Sequence, residues 1–465
     1  MRRTFRPWRH LLIDLSPLQR SRDLRYLVAG ELLSQLGSAL TMVAVPFQVY
    51  VLTHSSLDVG LVSLAQLLPL IVGALLGGSL ADAVDRRVLL LIAELLMALC
   101  SAGLAINADV GARLWPLFVL PALAAGFSTG AQAAMSAILP NLVTQSEIAT
   151  VNSMFQALFQ LGGVAGPAVA GLLLAGAGVR FVYWMDVASW GAAIVAAAVI
   201  GPQRPRRGHG SPGGDHAPGL RSIAQGFGYL RGRQVLQGAY LIDINATVFG
   251  MPKAVFPALA ATVFGGGAST LGFLYAATGA GALLGAVTTG WVRRVRRQGR
   301  AVVLAVIVWG AAIASFGLVR SLPVALALLA LAGWADVLSA IFRSTIIQLA
   351  APDDLRGRLM GVQMAAVIAG PRMGDVEAGA VANALGATTS VVSGGLACIV
   401  GAVALARLLP AFCRQEAPAA QNAAERSAVP KKGDTAGGMG LWKRVARRAQ
   451  APIEKEMSRH DRIRS

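Results

Sequence analysis

Long apolar segments, separated by short polar or basic connections, recur along the whole chain. A helix needs roughly 20 apolar residues to span a bilayer, and twelve segments reach about that length. This pattern is typical of an all-α membrane protein that crosses the lipid bilayer many times. The predicted spans, numbered 1 to 12, are 26–52, 59–80, 88–107, 114–137, 150–176, 180–200, 238–264, 268–292, 301–319, 322–348, 359–385 and 388–410.

The composition agrees with a membrane protein. Of the 465 residues, 55% are hydrophobic and only 14% are charged, whereas a soluble protein carries about 25% charged residues. A net charge of +18 would suggest nucleic acid for a soluble protein, but here the basic residues lie in the connections, so no nucleic-acid partner is expected. Cys100, Cys398 and Cys413 lack the spacing of a metal site or disulfide, and we expect no metal and no cofactor.

Arginines concentrate in alternate connections. The connections of opposite parity hold only Arg113, Arg180 and Arg320. By the positive-inside rule, this alternation places both termini in the cytoplasm. The arginine-rich connections follow spans 2, 6, 8 and 10. They contain Arg86, Arg87, Arg204, Arg206, Arg207, Arg221, Arg231, Arg233, Arg293, Arg294, Arg296, Arg297, Arg300, Arg356 and Arg358.

The same pattern divides the chain into five parts. We expect a basic cytoplasmic tail at 1–25, an N-terminal six-helix half at 26–200 and a C-terminal six-helix half at 238–410. Between the halves, 201–237 is a cytoplasmic linker, whose Pro/Gly/Arg-rich first part cannot span the membrane and whose second part is an amphipathic segment. Residues 411–465 form a basic tail that we expect to be disordered.

An internal glycine repeat relates the two halves. Gly60, Gly73 and Gly78 recur 212 residues later, and Gly166 and Gly171 recur 208 residues later, at Gly374 and Gly379. Six spans, a linker and six related spans are the plan of many secondary transporters.

The loop after span 2 resembles the loop signature of the major facilitator superfamily, G-x-L-a-D-r-x-g-R-[RK]. Ala83 stands where the superfamily has a basic residue, and Asp85 stands where it has a glycine. The resemblance implies a gating contact of the aspartate at the cytoplasmic ends of the two halves; an ordinary basic loop is the alternative. The matching residues are Gly78, Asp82, Arg86 and Arg87.

Span 5 resembles the superfamily's antiporter signature, G-x-x-x-G-P-x-x-G-G, with Ala170 in place of one glycine. The resemblance implies an exporter. Small residues let helices approach closely, so we expect this face to seal span 5 against its counterpart in the other half; generic small-residue packing is the alternative. The matching residues are Gly162, Gly166, Pro167 and Gly171.

Further segments are similar to the bacterial enterobactin exporter family. They lie at 43–48, 53–56, 59–61, 256–260 and 272–277. The resemblance implies a multi-pass protein of the inner (cytoplasmic) membrane that exports a small siderophore in exchange for protons. We expect the protein to be monomeric. Related drug exporters share much of this pattern, so multidrug or antibiotic efflux stays open, as does import by a similar fold.

Ionisable side chains inside spans are functional candidates, because each costs at least about 2.5–3.5 kcal/mol at the membrane centre. Glu31 lies in span 1 with Gln35 one turn later; snorkelling or helix capping is its structural alternative. Asp336 and Arg343 lie seven residues apart in span 10, either lining a cavity or forming a structural pair. The other candidates are Glu94 in span 3, Asp186 in span 6, and Asp243 and Lys253 in span 7.

Span 11 differs most from its repeat partner. It carries Arg372, Asp375 and Glu377 where span 5 has small residues. Arg372 and Asp375 are three residues apart, a spacing that allows pairing on one helical face. We hypothesise that Asp375 couples transport to protons, with Glu377 or Glu31 as second choice, and that Arg372 holds it ionised or engages an anionic substrate. The alternative is a pair that only locks helices together.

Two glutamines, Gln132 and Gln156, add uncharged hydrogen-bonding groups that either line the substrate cavity or bond neighbouring helices. An enzyme would need a catalytic cluster, yet all five histidines lie in loops or tails. The sequence also lacks a phosphate-binding G-x-x-x-x-G-K-[ST] loop. We therefore expect a transporter driven by an ion gradient, and neither an enzyme nor an ATP-driven pump.

Overall fold

The computed structural model of the protein describes residues 16–201, 203, 228–352 and 355–416, except the side chains of Asp82, Arg293 and Arg356. Up to Gln415, these residues form one compact unit. Most of the predicted N-terminal tail, linker and C-terminal tail lies outside the described residues.

The N-terminal half consists of helices whose ends follow local capping chemistry. Ser21 begins α2 by accepting the backbone N–H of Leu24, and Asp85 begins α5 by accepting that of Arg87. At the end of α2, His54 takes the left-handed conformation that terminates many helices. The helices are α1 Ser16–Arg20, α2 Arg22–Thr53, α3 Ser56–Ala65, α4 Leu67–Ala83, α5 Arg86–Val110, α6 Leu114–Leu142 and α7 Ile148–Val199.

In two places of this half, helices and spans do not correspond one to one. α7 is 52 residues long, but Gly178 has φ 79° and ψ 173°, which only glycine adopts readily, so α7 comprises spans 5 and 6. Span 2 divides into α3 and α4 at Gln66. Pro69 follows three residues later and has no N–H to bond to the preceding turn.

The C-terminal half repeats this arrangement with one large difference. Span 7 is broken: α8 ends at Phe249, a 3-10 turn covers Lys253–Val255, and α9 then resumes at Phe256. The helices are α8 Gln234–Phe249, α9 Phe256–Thr262, α10 Gly267–Val287, α11 Gln298–Leu318, α12 Leu322–Ala350, α13 Arg356–Leu385, α14 Ala387–Leu408 and α15 Pro410–Arg414, with a second 3-10 turn at Thr289–Arg294.

Within the described residues, nine helical stretches are long and apolar enough to cross a membrane. One of them is α7, which supplies two spans. Two predicted spans are not among these stretches. Span 7 is broken into pieces that are too short, and span 11 (α13) carries several charges. Adding these gives the twelve spans expected from the sequence.

The described chain continues in a helix past residue 411, the predicted start of the C-terminal tail. α15 continues the ordered chain to Arg414, because Phe412 is only 1% exposed. Its ring occupies the space above Gly238, where an added Cβ would lie 2.5 Å from Cγ of Phe412. Burial of this aromatic side chain anchors the segment to the C-terminal half.

Candidate transport site

The described chain has two chemically different ends. The connections after spans 2, 8 and 10 carry the arginines and define what we call the basic end. The connections at 54–55, 111–113, 263–266, 319–321 and 386 define the opposite end.

Near the opposite end, α3 of one half packs directly on α13 of the other. A Cβ added to Gly379 would lie 2.5 Å from the carbonyl oxygen of Ser56, and one added to Gly60 would clash with the carbonyl oxygen of Asp375. Real Cβ atoms do not approach so closely, so glycine at both positions permits backbone contact between the halves.

A second contact between the halves joins α7 to α10. A Cβ on Gly272 would lie 2.5 Å from the carbonyl oxygen of Pro167 and 2.6 Å from Cα of Gly171. Gly166 instead faces Ala39 of α2, in its own half, and Gly162 approaches Gln35 of α2. The antiporter signature therefore packs on two helices at once.

The expectation that span 5 seals against its counterpart in the other half is corrected by this geometry. Its repeat counterpart is span 11, which packs on span 2, while span 5 packs on span 8. The two interfaces are related by the repeat. Span 2 is equivalent to span 8 and span 5 to span 11, so the contact of span 2 with span 11 repeats that of span 8 with span 5.

At the basic end, the loop after span 2 binds helices of its own half. Arg86 donates to the carbonyl oxygen of Ala137 at 2.9 Å, and Arg87 donates to that of Ala197 at 3.2 Å. Both acceptors lie near C-terminal ends of helices, where a cation is favourable. A Cβ on Gly78 would meet nothing within 4 Å. The side chain of Asp82 lies outside the description, so its gating contact stays a prediction.

Asp375 is 9% exposed and sits where three elements meet. Its Oδ1 accepts the backbone N–H of Ala254 at 3.1 Å. The break in span 7 frees this N–H, since it lies between α8 and α9. The carboxylate also interacts with Ser63 of α3 and, electrostatically, with Lys253. Asp375 thereby links α13 to span 7 and to the other half.

Arg372 does not form the expected ion pair with Asp375. Three ion pairs occur among the described side chains, and this is not one of them. Instead Nη1 of Arg372 donates to the carbonyl oxygen of Ile368 at 2.8 Å, while its Nε is buried without a partner. The charge of Arg372 still acts electrostatically on Asp375. Glu377 is half-buried on the same helix.

Arg343 binds Asp243 and not the helix neighbour Asp336. Nη2 of Arg343 lies 2.6 Å from Oδ1 of Asp243, both side chains are 6% exposed, and Nη1 donates to Ser339 at 2.8 Å. Asp336 lines a cavity of about 20 Å³ next to Lys253, room for about one water molecule. The structural pair of Arg343 is therefore with Asp243 of span 7, and a place of Asp336 and Arg343 in a substrate cavity stays a prediction.

Glu31 shares the N-terminal half with a buried carboxylate, that of Glu94. Oε1 of Glu31 accepts from Gln35 at 2.7 Å, and its charge acts on Glu94. Glu94 is 6% exposed, and its Oε2 has no hydrogen-bond partner. The capping alternative for Glu31 is wrong, because Ser21 caps this helix ten residues earlier.

Asp186 shows the opposite situation to Glu94. It is 1% exposed and accepts from the hydroxyl groups of Thr41 at 2.6 Å and Ser101 at 2.7 Å, with Ser189 at 3.4 Å. These hydroxyl donors give the Asp186 carboxylate the hydrogen-bond partners that Oε2 of Glu94 lacks. It joins spans 1, 3 and 6, as a structural centre would.

The structure gathers most of the predicted site residues into two groups. The C-terminal group contains Asp243, Asp336, Arg343, Arg372 and Asp375, and the N-terminal group contains Glu31 and Gln35. Gln132 and Gln156 are both exposed, and their place in the substrate cavity stays a prediction. The sequence prediction noted Lys253 and Glu94 without assigning them roles, and it missed Ser63 and the N–H of Ala254.

Comparison with known proteins agrees with this architecture. A family described as transmembrane secretion effectors matches residues 13–439. The chain belongs to this family of the major facilitator superfamily. It is a secondary transporter of small molecules, spans the membrane many times and is not an enzyme.

The enterobactin exporter EntS of Shigella boydii serotype 18 is 28% identical over 403 residues, covering 86% of this chain and 94% of the relative. The same figures hold for enterobactin exporter EntS of Escherichia coli O139:H28.

Solved structures of other transporters show the same fold. A transporter of the POT family in complex with 5-aminolevulinic acid has a TM-score of 0.67 at 12% identity, covering 84% of this chain and 97% of its own. A bacterial homologue of the human lysosomal transporter Spinster, in an inward-facing and unoccupied conformation, has a TM-score of 0.63 at 15% identity, covering 84% and 96%. These likenesses support the twelve-span fold of the secretion effector.

Proposed function

We propose that this secretion effector is a proton-coupled exporter of a siderophore or drug-like small molecule in the bacterial cytoplasmic membrane, with both termini in the cytoplasm. The observation that carries the proposal is the position of Asp375. A buried carboxylate that holds the two halves together at one end is placed so that its protonation weakens that contact and favours the alternate state.

The conformation supports loading from the cytoplasm. The glycine contacts between the halves cluster near the opposite end, on α3–α13 and α7–α10. With the basic end in the cytoplasm, this arrangement is closed toward the outside. An exporter that alternates between two states takes up its substrate in such a state.

The similarity to enterobactin exporters favours a catecholate siderophore as substrate. Arg372 supports an acidic ligand, because its Nε is buried and unpartnered and could donate to a catecholate oxygen. Multidrug efflux is the second candidate. Met360, Met364 and Met373 on α13 are 42–53% exposed, and methionine surfaces adapt to ligands of different shape.

The test uses proteoliposomes with an imposed pH gradient and enterobactin as substrate, with ethidium in parallel for the drug alternative. We expect gradient-driven flux of one of these probes by the wild-type protein. Asp375→Asn should abolish the response to the gradient while leaving exchange of substrate across the membrane, because the amide cannot carry the proton.

Glu377→Gln on the same helix provides the comparison, since this half-buried carboxylate has no contact with span 7 among those described. We expect it to retain gradient-driven flux. Coupled transport that is undiminished in Asp375→Asn would contradict the assignment, and loss of coupling only in Glu377→Gln would transfer the role to that residue.

A further inference from the structure

Tyr275 of α10 and Asp375 of α13 bind the two ends of one peptide group in the break of span 7. The hydroxyl group of Tyr275 donates to the carbonyl oxygen of Lys253 at 3.3 Å, and the N–H of Ala254 donates to Oδ1 of Asp375 at 3.1 Å. That carbonyl and that N–H belong to the same peptide unit. No peptide bond of the described residues is cis, so the two groups point in opposite directions within one plane.

A hydrogen bond to one end of a peptide group acts on its other end. A donor at the carbonyl oxygen polarises the unit and makes its N–H a stronger donor, which is the cooperative effect of linked hydrogen bonds. The planar unit also turns as a whole, so a bond that fixes the carbonyl fixes the direction of the N–H. The hydroxyl group of Tyr275 therefore acts on the carboxylate of Asp375 through this peptide.

The tyrosine side chain is itself held in place. It is 8% exposed, and its ring packs edge-on against that of Phe256, with the ring centroids 5.3 Å apart. Phe256 is the first residue of α9, directly after the break. Tyr275 thus contacts both the break and the helix that follows it, which restrains the Lys253–Ala254 peptide from turning away from Asp375.

Tyr275 also lies close to the second contact between the halves. It follows Gly272 by about one turn of α10, and a Cβ on Gly272 would lie 2.6 Å from Cα of Gly171 on α7. Asp375 lies at the other contact, where Gly60 of α3 approaches its carbonyl oxygen. The link from Tyr275 through the peptide to Asp375 therefore joins the α7–α10 interface to the α3–α13 interface.

The charges around Asp375 come from other residues. Lys253 and Arg372 are the cations that act on it. The elements packed against α13 are α3, α4, α8, α14 and the 3-10 turn; the side chains of Asp82 and Arg356 lie outside the description. The other ionisable residues of α13 and these elements are not among the groups that act on Asp375; they are Asp58, Tyr240, Asp243, Arg358, Glu377, Cys398 and Arg407. Removing the neutral hydroxyl group of Tyr275 leaves all these charges in place.

We propose that Tyr275 is a positioning residue of the proton-coupling site, which holds the Lys253–Ala254 peptide so that its N–H stabilises the ionised carboxylate of Asp375. When Asp375 takes up a proton, the N–H loses its charged acceptor, and the contact between the halves weakens. This inference rests on the proposed coupling role of Asp375, but the effect of Tyr275 on Asp375 can be measured without any substrate.

Infrared spectroscopy of the purified full-length protein in lipid tests the proposal, because it reports the C=O stretch of protonated carboxylic acids. The component that Asp375→Asn removes belongs to Asp375. In Tyr275→Phe its pH midpoint should move to higher pH by about half a pH unit, since a weaker hydrogen bond to the ionised form makes protonation easier. Phenylalanine keeps the ring against Phe256, so this variant should fold.

Tyr240→Phe is the matched control. The hydroxyl group of Tyr240 also donates to a backbone carbonyl oxygen, that of Leu359 on α13, at 2.9 Å, and this tyrosine is 4% exposed. Both variants lose one buried hydroxyl group, but only Tyr275 bonds to the peptide that faces Asp375. A structural role alone would lower the unfolding temperature in both variants and move the midpoint in neither. An unmoved midpoint in Tyr275→Phe, or an equal shift in Tyr240→Phe, would overturn the positioning role.

Flux measurements keep this inference apart from the proposed function. If wild-type flux ignores the pH gradient while the midpoint moves in Tyr275→Phe, the proposed coupling fails and the effect of Tyr275 on Asp375 stands. If flux follows the gradient and the midpoint does not move, the positioning role fails and the coupling stands. A band that Asp375→Asn leaves unchanged would overturn both, because Asp375 would then hold no proton.

Discussion

At the scale of residues, the buried charges of this transporter are compensated in three different ways. Asp243 has a direct ion pair with Arg343. Asp186 has several hydroxyl donors. Glu94 has neither. An uncompensated charge is costly at membrane depth. Substitutions at these positions should therefore change the free energy of unfolding in different directions and by different amounts.

The ion pair gives the clearest residue-scale prediction. Arg343→Gln leaves Asp243 buried and unpaired, and breaking such a pair costs about 3–5 kcal/mol. We expect a marked fall in the thermal unfolding temperature of the purified protein in detergent. The double variant Asp243→Asn/Arg343→Gln removes both charges and should recover a large part of the loss. A double variant that is less stable than Arg343→Gln would contradict this account.

Pairing between spans was beyond what the sequence could predict. Asp336 lies on the same face of span 10 as Arg343, so local spacing favoured these two, yet the guanidinium binds Asp243, 100 positions earlier in the chain. Arg372 likewise bonds within its own helix and not with Asp375. Helical spacing tells which side chains share a face, but contacts with other spans decide which of them pair.

At the scale of elements, the break in span 7 creates the site around Asp375. Backbone groups freed by a broken helix need new partners inside a membrane. The carbonyl oxygen of Gly250 accepts from Trp309 at 2.8 Å, and the N–H of Ala254 donates to Asp375. The sequence predicted one continuous span at 238–264, although Pro252 and Pro257 lie within it, and the partners of the freed groups depend on spans 9 and 11.

The close contact between α7 and α10 allows a matched pair of glycine substitutions. A Cβ on Gly171 would lie 2.7 Å from Cα of Gly272, so Gly171→Ala must push the helices apart, at a cost of about 1–3 kcal/mol. Gly176→Ala, five residues later on the same helix, meets nothing within 4 Å. We expect a lower unfolding temperature for Gly171→Ala only, and equal effects would contradict the interface.

The spans themselves and their repeat were predictable because hydrophobicity and glycine spacing are properties of single segments. Gly166 and Gly171 of the signature pack against Ala39 of α2 and Gly272 of α10, and the sequence did not predict these two partners. Nothing in the segment distinguishes a neighbour in α2 from one in α10. The partner of each glycine follows from the arrangement of all twelve helices.

At the scale of the whole molecule, alternating access requires the two ends to change in opposite directions. Leu57, at the α3–α13 contact, has its Cα 3.0 Å from a Cβ built on Gly379, whereas a Cβ on Gly78 near the basic end meets nothing within 4 Å. A transporter in the present state should therefore protect position 57 and expose position 78. In the proposed orientation, the first position faces the outside and the second the cytoplasm.

This reciprocity can be measured by labelling with a membrane-impermeant maleimide after Cys100, Cys398 and Cys413 are replaced by serine. We expect Leu57→Cys to react slowly from outside in intact cells and Gly78→Cys to react rapidly in inside-out vesicles. Adding Asp375→Asn weakens the bonds to Ala254 and Ser63, so it should speed labelling at 57 and slow it at 78. Faster labelling at both positions would indicate loosening of the fold and not a shift between states. Reaction of Gly78→Cys from outside would reverse the proposed orientation.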